Sequence, residues 1–209
     1  ASVARRDAEA IRQALYTQLW DEKNGYFREA LETPTFGPDA NALAMSMGLV
    51  TREQALRMAP HFQKIGHGKF QSLVSRGRLN YGLAQSGLQT LFDHNWLKLL
   101  EPGWQGAWTT TECMGMITRG WGDESHPDTA IAGHFSAFLL GVRPTEPGYA
   151  RFVVEPQPTR EVRWAKGIVP TPHGPIRAEW ECEGHTFRLS VRVPQGTTAD
   201  VLLPPAGKV

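Results

Sequence analysis

The spacing of apolar residues changes near residue 143, and this change constrains the fold more than any other feature. Up to about Gly141, apolar side chains recur at three- and four-residue steps, as they do in amphipathic helices. Beyond Gly141, short alternating runs are separated by Pro and Gly, which is typical of a β-sandwich. The sequence therefore predicts helical hairpins over 1–142 and a small antiparallel β-sandwich over 143–209.

The first part is predicted to hold about six helices joined by short loops, as three hairpins. The first helix ends near Trp20, before the turn Asn24-Gly25, and the second covers 39–49. Thr51 is predicted to cap the third helix, with Gln54 three residues on as its capping-box partner. The apolar faces of the first and third helices consist of Ala8, Ile11, Leu15 and Leu19, and of Ala55, Met58, Phe62 and Ile65.

Three further helices follow the glycines at 66 and 68. The fourth is predicted over 69–85, and the fifth carries the leucines from Leu88 to Leu100 before Pro102-Gly103 stops it. Ser125 caps the sixth, with Pro127 in its first turn. The residues of the sixth helix predicted to face inward are Ile131, Phe135, Phe138 and Leu139.

The second part is predicted to hold five short strands. They cover 151–155, 162–169, 175–182, 186–193 and 199–203. In the third strand apolar and charged residues alternate, which predicts a sheet with one buried face. The buried set is Ile176, Ala178 and Trp180, and the exposed set is Arg177, Glu179 and Glu181.

Charge and composition indicate a neutral partner. The 22 Lys and Arg residues nearly balance the 21 Asp and Glu residues, so no net field favours nucleic acid or an anionic membrane. No apolar run approaches the roughly 18 residues of a membrane span. The start has neither the apolar core of a signal peptide nor an initiator methionine, so we expect a truncated chain and leave its compartment open.

Cofactor chemistry has little support in the sequence. The seven histidines show no metal-ligand spacing, and no phosphate-binding glycine loop or Gly-x-Ser-x-Gly elbow occurs. The two cysteines, Cys113 and Cys182, neither imply nor exclude a disulfide. We therefore expect neither a metal nor an organic cofactor.

Several segments together resemble bacterial α-L-rhamnosidases of the six-hairpin glycosidase group. GVRPTEPGYARFVVEP at 141–156 is similar to the family's junction between helical toroid and C-terminal β-domain, and AKGIVPTPHGPIRAEW continues the likeness. WTTTECMG at 108–115 resembles a Thr-Thr-x-x-Glu loop, and DESHPDTAIAGH resembles a Ser-His element that opens the last helix. LWDEKNGYF and DANALAMSMGLV resemble its pattern of helix, loop and inner helix.

The resemblance implies a fold and a reaction. The fold is half of an (α/α)6 toroid followed by a β-domain, and the reaction is the hydrolysis of terminal α-L-rhamnosyl linkages with inversion. In the family, the first half of the toroid supplies the general acid, and no stretch here resembles that acidic motif. The chain is therefore expected to contribute one half of a site for rhamnosides.

Two glutamates are candidates for catalysis, because glycoside hydrolysis usually employs a pair of carboxyl groups. Glu112 is the candidate general base, and its alternative role is a loop ion pair. Glu124 is the second candidate, although its position before a helix also suits simple capping support through the helix dipole.

Candidate substrate-binding residues surround these glutamates. Trp104, Trp108 and Trp121 lie in a glycine-rich stretch, and an indole can cover the apolar face of a sugar. Trp108 is the preferred one, since one or two of the three can equally be core. His126 matches the Ser-His element or is structural, and Asn41 matches a polar position of an inner helix, beside Asp39 as a possible N-cap.

Two other functions remain open. The chain can be a non-catalytic carbohydrate-binding remnant, in which tryptophans and Asn41 hold a sugar without cleaving it. It can also be a structural fragment of a larger glycosidase, whose open toroid edge would expose apolar residues. Self-association, or pairing with the missing half of the toroid, is then expected.

Overall fold

The computed structural model describes residues 2–65, 71–93, 131–184 and 186–204. The chain forms two compact units, Ala1–Thr129 and Ala130–Val209. The second unit begins ahead of the domain boundary expected at residue 143, because the last helix packs with the strands that follow it. The indole Nε1 of Trp180 donates to the carbonyl oxygen of Leu139 at 2.8 Å.

The described part of the first unit has five helices and a small sheet. The helices are α1 (Ser2–Leu19), α2 (Pro38–Ser46), α3 (Arg52–Ile65), α4 (Gln71–Asn80) and α5 (Ala84–Asp93). The strands β1 (Trp20–Asp21), β2 (Tyr26–Ala30) and β3 (Thr33–Phe36) form an antiparallel sheet between α1 and α2.

The capping box predicted for α3 is confirmed. The backbone N–H of Gln54 donates to Thr51 Oγ1 at 3.2 Å, and the Thr51 N–H donates back to Gln54 Oε1 at 2.8 Å. Ala55, Met58 and Phe62 are fully buried, as the apolar spacing indicates. In α1 only the C-terminal part of the predicted stripe packs, and Ile11 is 62% exposed.

The predicted fourth helix is present, but its predicted end at residue 85 is wrong. Helix α4 ends at Asn80 and α5 begins at Ala84, ahead of the predicted start. Gly82 takes a left-handed φ of +71°, and its N–H donates to Leu79 O at 3.1 Å while the Leu83 N–H donates to Arg78 O at 2.9 Å. These two hydrogen bonds terminate the helix, and Gly82 permits them because glycine readily adopts a positive φ. This glycine is the sequence feature that indicates the helix end.

The sheet β1–β3 was not predicted, although its first turn was. Gly25 has a φ of +74° in the turn Asn24-Gly25, and its N–H donates to Asp21 O at 2.7 Å. Asn-Gly is a strong hairpin signal. The sequence gives little indication of the strands, because β1 has only two residues and β3 contains Pro34.

Five of the six described strands of the second unit lie where the sequence predicts them. A helix, α6 (Ile131–His134), continues as a π-helical turn over Phe135–Leu139. The strands are β4 (Val142–Pro144), β5 (Arg151–Val154), β6 (Trp164–Val169), β7 (Ile176–Glu183), β8 (Thr186–Arg192) and β9 (Thr198–Val201). Strand β4 was missed because only three residues form it.

The strands form two three-stranded sheets, in the orders β4-β5-β9 and β6-β7-β8. All described pairs in this unit are antiparallel except β5 and β9, which run parallel. This pair differs from the antiparallel expectation because β6, β7 and β8 serve as its crossover. One apolar cluster joins Leu140, the C-cap of the π-helical turn, to residues of both sheets: Val142, Phe152, Val154, Val169, Ile176 and Ala178.

The predicted inner face of the last helix is partly wrong. Phe138 and Leu139 are buried, whereas Phe135 is 45% exposed. The π-helical turn explains the difference, because its wider spiral breaks the three- and four-residue spacing on which the prediction rests.

Candidate functional site

Six of the seven predicted site residues lie outside the described residues. They fall between residues 94 and 130: Glu112, Glu124, Trp104, Trp108, Trp121 and His126. Their roles therefore stay predictions. Asn41 is the one predicted site residue that the structure describes.

Asn41 is fully buried in the first turns of α2. Its Oδ1 accepts the backbone N–H of Phe27 at 2.9 Å, and its Nδ2 donates to the carbonyl oxygens of Phe27 at 2.8 Å and Gly37 at 2.9 Å. The amide thus pairs with both backbone groups of a β2 residue and with the N-cap of α2. It fixes the central strand of the sheet to the start of the helix.

The bonds of Asn41 use both its N–H donors and one of its acceptor positions. Its role in substrate binding stays a prediction beside this packing role. Asn41 and Met45 are one helical turn apart and both buried, so the apolar spacing of DANALAM already indicated an inward position. The N-cap of α2 is Gly37, not Asp39, and Asp39 lies in the first turn.

The carboxylates of the described first unit with shifted pKa values are held in the ionised form. Glu22 Oε1 lies 2.6 Å from a guanidinium nitrogen of Arg57, and Glu22 Oε2 accepts from Trp20 Nε1 at 2.6 Å. The bond from Arg57, then that from Trp20, lowers the pKa of Glu22. Hydrogen bonds from Asn24 lower the pKa of Asp21. A general acid needs a raised pKa, so neither group suits that role.

An open cleft lies at one end of the β6–β7–β8 sheet. It has a volume of about 480 Å³, between the turn that precedes β7 and the segment that follows β8. Its lining consists of His173, Gly174, Pro175, Arg177, Arg192, Val193, Pro194 and Gln195. Arg177 and Arg192 are direct cross-strand partners with exposed side chains. Sequence reasoning identified Arg177 as exposed but did not place it opposite a second arginine.

Within the described ranges, no three His, Cys, Asp or Glu side chains are grouped as metal ligands. The described helices include none that is long and apolar enough to cross a membrane.

The family model of the bacterial α-L-rhamnosidase C-terminal domain matches residues 141–209. The chain fits the C-terminal portion of α-L-rhamnosidases. It is 37% identical over 76 residues to an α-L-rhamnosidase of Alteromonas sp. (strain LOR), across 36% of the chain and 8% of that protein. It is 35% identical over 68 residues to one of Streptomyces avermitilis, across 32% of the chain and 7% of that protein.

Solved α-L-rhamnosidase structures share the fold along nearly the whole chain. The Streptomyces avermitilis enzyme complexed with L-rhamnose matches 96% of the chain with a TM-score of 0.70 and 21% identity. The Aspergillus terreus enzyme matches 99% with a TM-score of 0.72 and 18% identity. The chain spans 21% and 25% of those two chains. The mixed α and β architecture therefore matches that of rhamnosidases.

Proposed function

We propose that the chain forms the C-terminal part of a glycoside hydrolase that removes terminal α-L-rhamnosyl groups. The match of residues 141–209 to the rhamnosidase C-terminal domain carries the proposal. The fold shared with a rhamnosidase that binds L-rhamnose supports extending it to the helical unit. In this proposal the described helices belong to one half of an (α/α)6 toroid, and the two sheets form a β-sandwich.

The proposed mechanism inverts the anomeric centre. Glu112 acts as general base on a water molecule, and a general acid across the substrate protonates the leaving oxygen at a carboxyl separation of about 6.5–9.5 Å. Glu124 is the second candidate for the base. Trp108 covers the apolar face of the sugar, with Trp104 and Trp121 beside it, and His126 donates a hydrogen bond to a hydroxyl.

Exposed apolar residues on the helical unit support pairing with further toroid helices or with a second copy. Leu43 on α2 is 48% exposed, Met47 at the C-cap of α2 is 65% exposed, and Leu56 on α3 is 42% exposed. Light scattering on the chain is expected to show association that Met47→Glu weakens. A strictly monomeric wild-type species would contradict self-association.

Two matched variants distinguish the candidate bases. Rhamnose release from an aryl α-L-rhamnoside is measured for the natural polypeptide that contains these residues, with Glu112→Gln and Glu124→Gln. Loss of the general base is expected to lower kcat by about 10²–10⁴-fold, and we expect this loss for Glu112→Gln with an unchanged melting temperature. A large loss only for Glu124→Gln would reassign the base, and full activity of both variants would remove both glutamates from the mechanism.

The alternative is a carbohydrate-binding remnant, in which the tryptophans and Asn41 hold a sugar without cleaving it. Calorimetric titration with L-rhamnose, beside the release assay, separates the two functions. Binding without release supports the remnant. Release that disappears in Glu112→Gln supports the hydrolase.

A further inference from the structure

The exposed face of the β6–β7–β8 sheet carries its charges in cross-strand rows. Lys166 and Glu179 are partners in one row, with Nζ and Oε2 3.0 Å apart. In the row of Trp164, Arg188 lies 3.9 Å from Glu181 Oε2 and also 3.3 Å from the Glu183 carboxylate. Each of these cations therefore has an acidic neighbour on the same face.

The row at the cleft breaks this arrangement. Ile168, Arg177 and Arg192 are its members, so two guanidinium groups lie on adjacent strands without a carboxylate between them. Among the described residues, neither arginine has an acidic oxygen within the 4.0 Å of an ion pair. Like charges directly opposite each other destabilise a sheet. A bound anion would relieve this repulsion.

The side chains that line the cleft favour an oxyanion. A guanidinium presents donors in a planar fork that matches two oxygens of a carboxylate or sulfate. His173 and Gln195 add polar side chains to the same lining, while Pro175 and Val193 add apolar surface. We propose that this cleft binds the carboxylate or sulfate group of an acidic oligosaccharide, with Arg177 and Arg192 contacting the anion.

The saccharide part of the inference rests on the proposed glycosidase function and on Trp164. This indole is 68% exposed on the same sheet face, four residues before Ile168 on β6. Four residues of a strand span about 13 Å, so an extended oligosaccharide can reach both positions. Trp164 would stack on the apolar face of one sugar ring while the arginines hold the acidic group of another.

Calorimetric titration of the 209-residue chain tests the inference with three probes. They are an oligogalacturonate, an uncharged galactose oligomer of equal length, and inorganic sulfate. We expect the oligogalacturonate to bind most tightly, with an affinity that falls as salt is added. The double variant Arg177→Gln/Arg192→Gln should bind the oligogalacturonate about tenfold or more weakly than the wild type does. Arg188 is a cation of the same face that has acidic neighbours, so Arg188→Gln is the control. This variant should change the affinity for the oligogalacturonate by less than about twofold.

The Trp164→Ala variant distinguishes recognition of the sugar ring from recognition of the anionic group. It should weaken the oligogalacturonate by about threefold or more and leave sulfate binding unchanged. Equal affinity for charged and uncharged oligomers, or for oligogalacturonate and sulfate, overturns the inference, and so does a double variant that binds like wild type. Rhamnose release from a neutral aryl rhamnoside by the natural polypeptide that contains these residues is measured in parallel and should not change in the double variant. Absence of rhamnose release by the wild type, together with normal oligogalacturonate binding, contradicts the proposed function alone.

Discussion

The two units of the chain position their side chains by different means. In the β-unit, strand alternation decides which residues are buried, and every other residue of β7 is inside. In the helical unit, a buried side chain such as that of Asn41 bonds to backbone groups of a residue 14 positions away in the chain. An alternating pattern is local and can be read directly. A buried hydrogen bond between distant residues depends on the tertiary structure and cannot be predicted from the local sequence.

The largest effect is expected from the apolar anchor of the β-unit. Trp180 is 1% exposed, stacks on Phe187 with ring centroids 5.6 Å apart, and donates to Leu139 O. Trp180→Ala should lower the free energy of unfolding by roughly 3–5 kcal/mol, because it leaves a cavity and an unpaired carbonyl. Urea unfolding followed by circular dichroism measures it. A loss below about 1 kcal/mol would show that alternation does not anchor this unit.

The second prediction concerns the close backbone approach at Gly141 in the same unit. Its φ is +87°, and a Cβ would lie 2.4 Å from Glu155 C and Pro156 N. Gly141→Ala should therefore cost about 3 kcal/mol, from strain and from the clash together. Gly196→Ala is the control, since it has a φ of +79° but open space around the Cβ. Equal thermal shifts for the two variants would mean that the close approach contributes nothing.

The third prediction tests the buried polar link of the helical unit. Asn41→Ala removes three hydrogen bonds and leaves buried backbone groups of Phe27 without partners, at a cost of about 2–3 kcal/mol. Asn80→Ala is the control, because Asn80 is exposed and its closest bond is to Ser46 O at 2.8 Å. Chemical denaturation should give a clearly smaller loss for the control. The reverse order would deny Asn41 its structural role.

A local interaction in the helical unit should matter less. Thr51→Ala removes one half of the capping box and should cost about 1 kcal/mol, measured as a change in denaturation midpoint. Thr51→Ser, which keeps the hydroxyl, is the control and should restore most of the loss. If serine and alanine are equivalent, the hydroxyl does not stabilise α3.

The smallest effect concerns the pH dependence contributed by Glu22. Its pKa in the folded chain lies below the ordinary 4.5 because it accepts from Arg57 and Trp20. A carboxyl group whose pKa is lowered by folding stabilises the folded state at pH values above its ordinary pKa. This stabilisation is lost as the pH falls through the pKa of the folded state. Glu22→Gln should therefore slightly narrow the difference in melting temperature between neutral and acidic pH. An unchanged difference in melting temperature in Glu22→Gln would contradict this contribution.

Much of the β-unit was predictable because apolar alternation is a local signal. Five strands and the inward set Ile176, Ala178 and Trp180 were correctly predicted. The parallel pairing of β5 with β9 was not, since register between distant strands is absent from either strand's own pattern. The same reason hid the opposition of Arg177 and Arg192, which only the register of β7 and β8 reveals.

The helical unit was less predictable. The capping box at Thr51 was identified because its two halves lie three residues apart. The end of α4 depended on one glycine, Gly82, inside an otherwise continuous helical pattern. For the candidate site, motif resemblance predicts Glu112 and the tryptophans near it, and these stay predictions, whereas the bonds of Asn41 required the tertiary structure.

The most direct test of the proposed function is time-resolved NMR of an aryl α-L-rhamnoside incubated with the natural polypeptide that contains these residues. The account predicts that β-L-rhamnose appears first, as inversion requires, and that Glu112→Gln abolishes its appearance. Release of α-L-rhamnose first, or equal release by the wild type and the Glu112→Gln variant, would contradict it.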